Sequence, residues 1–228
     1  MTISEKLTQI ASNVPAVYQK GKADGIEEEY DRFWDTIQEG GRVTYYDYRF
    51  CGWTWTYANP KFAVVPSNAQ GLFMSSKRLT HFDESKFDFS QVRNSYRMFW
   101  SCTALEYMPD FDLAPERFDQ TFQHCRSLKT ISVLDFSNCN QKINMILSGA
   151  VALESIEKIQ GYISFNGFDL QDSPLLNKET FVRVINALSA ETSGLAATLS
   201  KTAKEANFTD EEWAALIGTK PNWTITLV

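Results

Sequence analysis

The sequence predicts an α+β solenoid of short strands and short helical turns, with an N-terminal helical arm and an α/β C-terminal cap. Three observations carry this reading. Ten-residue blocks recur at near-constant spacing, alternating apolar residues follow three of the four blocks, and both ends of the chain switch to helical periodicity.

The arm is assigned to residues 1–40. Thr2 and Glu5 form a capping box, and Ile3, Leu7, Ile10 and Val14 follow at helical spacing as a narrow apolar seam. Pro15 starts a second helix or kinks the first, and Gly21 and Gly25 can act as a hinge. Residues 24–39 hold seven acids and one base, Arg32, with Tyr30, Phe33, Trp34 and Ile37 forming an apolar stripe. This stripe either folds back on the repeats as their cap or leaves part of the arm free to pack with other copies or a neighbour. Ile3, Leu7, Ile10 and Val14 are the candidate docking or oligomer residues.

Residues 41–72 form an aromatic strand region. Tyr46, Tyr48 and Phe50, then Trp53, Trp55 and Tyr57, alternate around Cys51-Gly52 as two strands would. Either one face caps the solenoid and the other is surface, or Tyr46, Tyr48, Trp53, Trp55 and Tyr57 make a carbohydrate- or protein-binding patch.

The repeats occupy residues 73–172. FMSSKRLTHF (73–82), FWSCTALEYM (99–108), FQHCRSLKTI (122–131) and LSGAVALESI (147–156) align without gaps, with starts 26, 23 and 25 residues apart. Phe73, Phe99, Phe122 and Leu147 share one column, and Ser76, Cys102, Cys125 and Ala150 a second, small one. Leu79, Leu105, Leu128 and Leu153 share a third, and Phe82, Met108, Ile131 and Ile156 a fourth. One block cannot bury its apolar side alone, but stacked blocks share a core. Ala69, Ser95, Phe118 and Ile143 lie four positions ahead of the first column, and in the last two repeats this i, i+4 pair is apolar, which suits a short helical turn there. Asp88, Asp112 and Asp135 each sit between apolar residues, as in a strand with one face outward. They read as turn or edge caps, or as a carboxylate ladder for a cation or ligand.

The C-terminal cap covers residues 173–228. Asn177 caps a helix over 178–189, a strand follows near 196–200, and Thr209 with Glu212 boxes a helix through Ile217. Gly218 is placed to end that helix, Trp223–Val228 alternates as a last strand, and Trp213 and Trp223 belong to the cap core.

The blocks Phe99–Met108 and Phe122–Ile131 resemble the repeats of BspA-like leucine-rich-repeat proteins of bacteria and phages. So do the tail segments Ser173-Pro174-Leu175, Val184–Ser189, Thr192–Leu195, Thr198–Ala203 and Lys220–Ile225, and at the front Glu29–Asp35 and Gly52–Thr54. The likeness spans nearly the whole chain and points to members from prophages of gut Firmicutes. It implies an irregular leucine-rich-repeat solenoid encoded beside tail-fibre and baseplate genes, with no catalytic residues to carry over. The chain departs from the family at Ala150, where cysteine is usual.

Composition narrows the chemistry. The 228 residues carry a formal net charge of −6, which argues against a nucleic-acid backbone binder and gives no pull toward anionic membranes. No stretch reaches membrane-span length, and the N-terminus lacks a signal-peptide pattern, so the expected location is a virion, or a bacterial cytoplasm before assembly. Cys51, Cys102, Cys125 and Cys139 form no C-x-x-C pair. His81 and His124 sit beside core columns, and no nucleophile-elbow, metalloprotease, Walker or dinucleotide motif occurs. No cofactor, metal or catalytic residue is expected. The resulting expectation is a non-catalytic, virion-associated structural and binding protein whose partners are virion proteins or its own copies, and a host-surface protein or glycan. The alternatives are an intracellular interaction module and a carbohydrate-active enzyme.

Overall fold

A short strand that buries one face needs apolar side chains at alternate positions, and the residues after each leucine column provide them. The computed structural model describes Tyr57–Ala58 and residues 66–82, 87–140 and 143–228. The proposed arm, with Ile3, Leu7, Ile10 and Val14, lies outside the described residues, as do Tyr46, Tyr48, Trp53 and Trp55. Of Tyr57 only the backbone is described.

The fold is mixed α/β, with eight short strands and three helices among the described residues. β1 (Tyr57–Ala58) pairs with β2 (His81–Phe82). β3 (Tyr107–Met108), β4 (Thr130–Asp135) and β5 (Ser155–Gln160) form a second sheet, and β6 (Phe168–Leu170), β7 (Leu195–Leu199) and β8 (Trp223–Leu227) a third. Every pairing is parallel. Met108 lies opposite Ile131, and Ile131 opposite Ile156, so these three members of the fourth column are in register. A second parallel line of bridges joins Asn68, Asn94 and Arg117.

The columns meet in one core. Leu79, Leu105, Leu128 and Leu153 are each 0% exposed and belong to a single apolar cluster. The first-column rings stack almost face to face. Phe73 and Phe99 lie 5.3 Å apart at 4°, and Phe99 and Phe122 lie 5.5 Å apart at 2°. In the second column the Cys102 thiol donates to the Phe73 carbonyl, and the Cys125 thiol to that of Phe99, both at 3.1 Å. Ala150 has no such donor, and Ser173 next along supplies one again, its hydroxyl reaching the Ala150 carbonyl at 3.1 Å. Leu170, Ser173 and Leu176 are all buried and extend the first three columns by one further block. The residues alone did not disclose this block.

The expected helical turns are not helical. Among the described residues no α-helix forms before Lys178. The turns ahead of and within the blocks place Gly71 and Ser75, Arg97 and Ser101, Gln120 and His124, and Met145 and Gly149 at positive φ. Each left-handed residue reorients the next peptide, so neighbouring amides point in different directions. In the first turn the amides of Leu72, Met74 and Ser76 bond three residues back, to Ala69, Gly71 and Phe73. Those of Gly71, Phe73 and Ser75 cross to the carbonyls of Tyr96, Met98 and Trp100 in the next repeat. An i, i+4 apolar pair fits this geometry as well as it fits a helix, which is why spacing alone misled.

The segments Phe87–Phe89 and Phe111–Leu113 also differ from expectation. Their burial alternates as predicted, but neither is a strand, and Asp112 sits at φ 53°.

Asn177 caps α1 (Lys178–Ala187) by accepting from the Thr180 N–H at 2.8 Å. α1 lies along the outer edge of β5, where a strand would otherwise present unpaired groups. The Thr180 hydroxyl accepts from the buried Ile156 N–H at 3.1 Å, and Arg183 Nη1 donates to the Ile156 carbonyl at 3.2 Å. Thr180→Val keeps the shape but leaves that N–H without an acceptor. It is expected to cost about 1–3 kcal/mol in urea unfolding, with Thr180→Ser near wild type. Equal stability of the valine variant would refute the edge-capping role.

α2 (Lys201–Asn207), capped by Ser200, was not expected. The Thr209–Glu212 capping box forms at the start of α3 (Asp210–Gly218). Gly218 does not end α3 in a left-handed turn. It remains helical, and Thr219 is the C-cap. Phe181, Phe208 and Trp213 meet edge to face at 5.6–5.8 Å, and the Trp223 indole donates to the Ser189 carbonyl at 2.8 Å. No helix among the described residues is long and apolar enough to cross a membrane.

Candidate binding surface

Side chains that leave the turns outward form a connected patch across two successive repeats. Tyr96, Arg97 and Trp100 come from one turn, and Arg117, Gln120, Gln123 and His124 from the next. The outward directions follow from the alternating left-handed residues, because core columns and surface positions interleave within a few residues. The Arg97 guanidinium lies 4.9 Å from the Tyr96 ring centroid and 5.8 Å from that of Trp100, and Arg117 lies 4.2 Å from Tyr96. Arg97 Nε donates to Gln120 Oε1 at 2.7 Å, Arg117 Nε to Asp119 Oδ2 at 2.7 Å, and Trp100 Nε1 to Gln123 Oε1 at 3.1 Å. His124 meets Trp100 edge to face at 6.0 Å. Most of these side chains are half-buried, so they are held by their neighbours yet reachable from solvent. Sequence reasoning passed over the patch. Its one legible signal was a tryptophan at an outward block position, with one arginine in the same turn and another in the next.

On the β3–β4 side, Tyr107 is 44% exposed and its hydroxyl lies 2.6 Å from that of Ser132. Lys129 pairs there with Glu106 at 2.8 Å.

The three singled-out aspartates do not act alike. Asp88 accepts from the Ser90 N–H at 3.0 Å, and Asp135 from that of Ser137 at 2.8 Å, both as Asx turns. Asp135 also accepts from Gln160 Nε2 at 2.9 Å. In the middle repeat Asp110 takes this part, accepting from the N–H of Asp112 itself at 3.0 Å. Among the described residues no group of His, Cys, Asp or Glu side chains is gathered so as to hold a metal ion.

Cys102, Cys125 and Cys139 are reduced, the first two buried and Cys139 half-buried. Burial pushes the Cys125 thiol from its ordinary 9.0 up to about 12, although an N–H in the Cys102 backbone favours the thiolate. The fold therefore holds this proton more tightly than the unfolded chain does. The corresponding stability is complete below pH 9 and is lost as pH rises toward 12. Two outcomes are expected. Melting temperature falls over that alkaline range, and iodoacetamide with peptide mapping modifies Cys139 well before Cys102 or Cys125. Equal labelling rates in the folded protein would contradict the burial argument.

Near the C-terminal repeats, burial raises Asp169. The Gln171 N–H opposes that shift and the charge of Asp172 adds to it. An open depression of about 390 Å³ beside α1 is lined by Lys178, Glu179, Val182 and Arg183. Arg183 is already committed to the Ile156 carbonyl.

Comparison of the chain with protein-family models, curated proteins and solved structures finds no match.

Proposed function

We propose that this chain is an irregular leucine-rich-repeat solenoid that serves as a non-catalytic structural and binding protein. More particularly, it is read as a virion-associated component of the tail or baseplate region of a phage or prophage, whose repeat face contacts a protein or glycan on the host surface. The carrying observation is the parallel in-register pairing of Met108, Ile131 and Ile156 at the spacing of the blocks. Such stacking builds a rigid, laterally continuous surface, suited to contact over several repeats. The virion placement rests on the resemblance to BspA-like prophage proteins. In this reading the N-terminal segment provides the anchor.

Mass spectrometry of purified, induced particles tests the placement, and the protein is expected among the virion components. Its consistent absence would overturn that placement. Light scattering after size exclusion tests the anchor. A monomer unchanged by deleting residues 1–22 would count against anchoring by self-association.

A further inference from the structure

We propose that the turn face binds an acidic polysaccharide. Arg97 and Arg117 would hold its carboxylate or phosphate groups while Trp100 stacks on a sugar ring. The inference deepens the host-surface reading above and rests on it.

Both guanidiniums are oriented before any ligand arrives. Each lies over the Tyr96 ring, and each has its Nε fixed, by Gln120 in one case and Asp119 in the other. Among the described residues no hydrogen bond engages their terminal Nη atoms, which are the pair that grips an oxyanion in bidentate fashion. Asp119 offsets part of this charge, but its Oδ1 also accepts from the Asn144 N–H in the following repeat, so its carboxylate is shared between Arg117 and that amide. A local cationic pair on a chain of net charge −6 selects for an anion at this place rather than over the whole surface.

The class of anion follows from the neighbours. The Trp100 indole is fixed through its Nε1 to Gln123, leaving an amphipathic ring half exposed beside the arginines. Amide side chains continue along the same face, with Asn94 bonded to Gln70 at 3.3 Å ahead of the patch and Gln120 within it, while the buried Gln123 only holds the indole. Aromatic platform, amide row and paired arginines suit a hydroxyl-rich polymer with spaced negative charges better than an acidic peptide.

The test uses the full chain on an array of uronate-containing, phosphorylated and neutral glycans of matched length, with poly-glutamate as the peptide arm. Retention of one or both acidic glycan classes is expected, weakened by added salt, with little retention of neutral glycans or poly-glutamate. Arg97→Gln and, separately, Arg117→Gln should each weaken binding by about tenfold at unchanged melting temperature. Trp100→Ala should also weaken it, and Tyr107→Ala on the strand side should not. The inference is overturned if no acidic glycan is retained, if neutral glycans or poly-glutamate bind as well, or if both arginine variants that fold bind like wild type. Binding of a neutral glycan or a host protein alone would overturn it while leaving the broader binding role in place. Absence from particles removes the virion placement without altering these readouts.

Discussion

Phe99→Ala is expected to lower stability by about 3–5 kcal/mol, enough to unfold a marginally stable domain. Phe99 is 0% exposed, and its ring is stacked on both sides, by Phe73 and by Phe122. Truncation opens a cavity in the middle of the aromatic file, and its walls are rings held by two repeats each. They cannot collapse inward without breaking the inter-repeat hydrogen bonds from Phe73 to Met98 and from Phe99 to Thr121. Phe99→Leu retains much of the volume and should cost about half as much. Urea unfolding followed by circular dichroism measures both. An alanine variant within about 1 kcal/mol of wild type would be inconsistent with a shared core.

Gly161→Ala is expected to be nearly as damaging, for a different reason. Gly161 follows β5 at φ +69°, and a Cβ there would lie 2.5 Å from the Ser137 nitrogen and 2.7 Å from the Phe136 carbonyl carbon. These are backbone atoms at the end of β4, and they cannot swing aside as a side-chain tip can. Two costs combine: about 1–2 kcal/mol for a non-glycine residue in the left-handed region, and the displacement of one repeat from the next. The total should reach about 3 kcal/mol or more. Gly194 separates the two, because its φ is +72° and a Cβ there would meet nothing within 4 Å. Gly194→Ala should show the conformational cost alone, about 1–2 kcal/mol. If both variants melt together, the close approach between repeats at Gly161 is not a constraint.

Several features could be read from residues alone because their chemistry is local. The Thr209–Glu212 box and the Asn177 cap each need only two residues at fixed spacing, and both form. Leu79, Leu105, Leu128 and Leu153 were legible because a recurring large apolar residue has few places to go but a common core. The turn geometry was not legible. Of its eight left-handed positions only Gly71 and Gly149 are glycines, and Ser75, Arg97, Ser101, Gln120, His124 and Met145 give no warning. α2 was missed because it is short and buries little beyond Ala203 and the stem of Lys204. The further block at Leu170, Ser173 and Leu176 was missed because its fourth column gives way to α1. The aromatic–arginine patch was hidden for a related reason. Its members alternate with core residues at a period that matches neither strand nor helix, so no single-face pattern collects them.

The left-handed column has an electrical consequence. Its amides run in file across the repeats: Ser75 to Trp100, Ser101 to Gln123, His124 to Ser148. The last, on Gly149, meets no carbonyl and instead donates to Asp172 Oδ2 at 2.8 Å. Peptide dipoles aligned head to tail accumulate as they do along a helix axis, here transverse to the chain. The stack thus has a positive pole and a negative pole, and a carboxylate rests at the positive one, as an acidic residue does at the start of a helix.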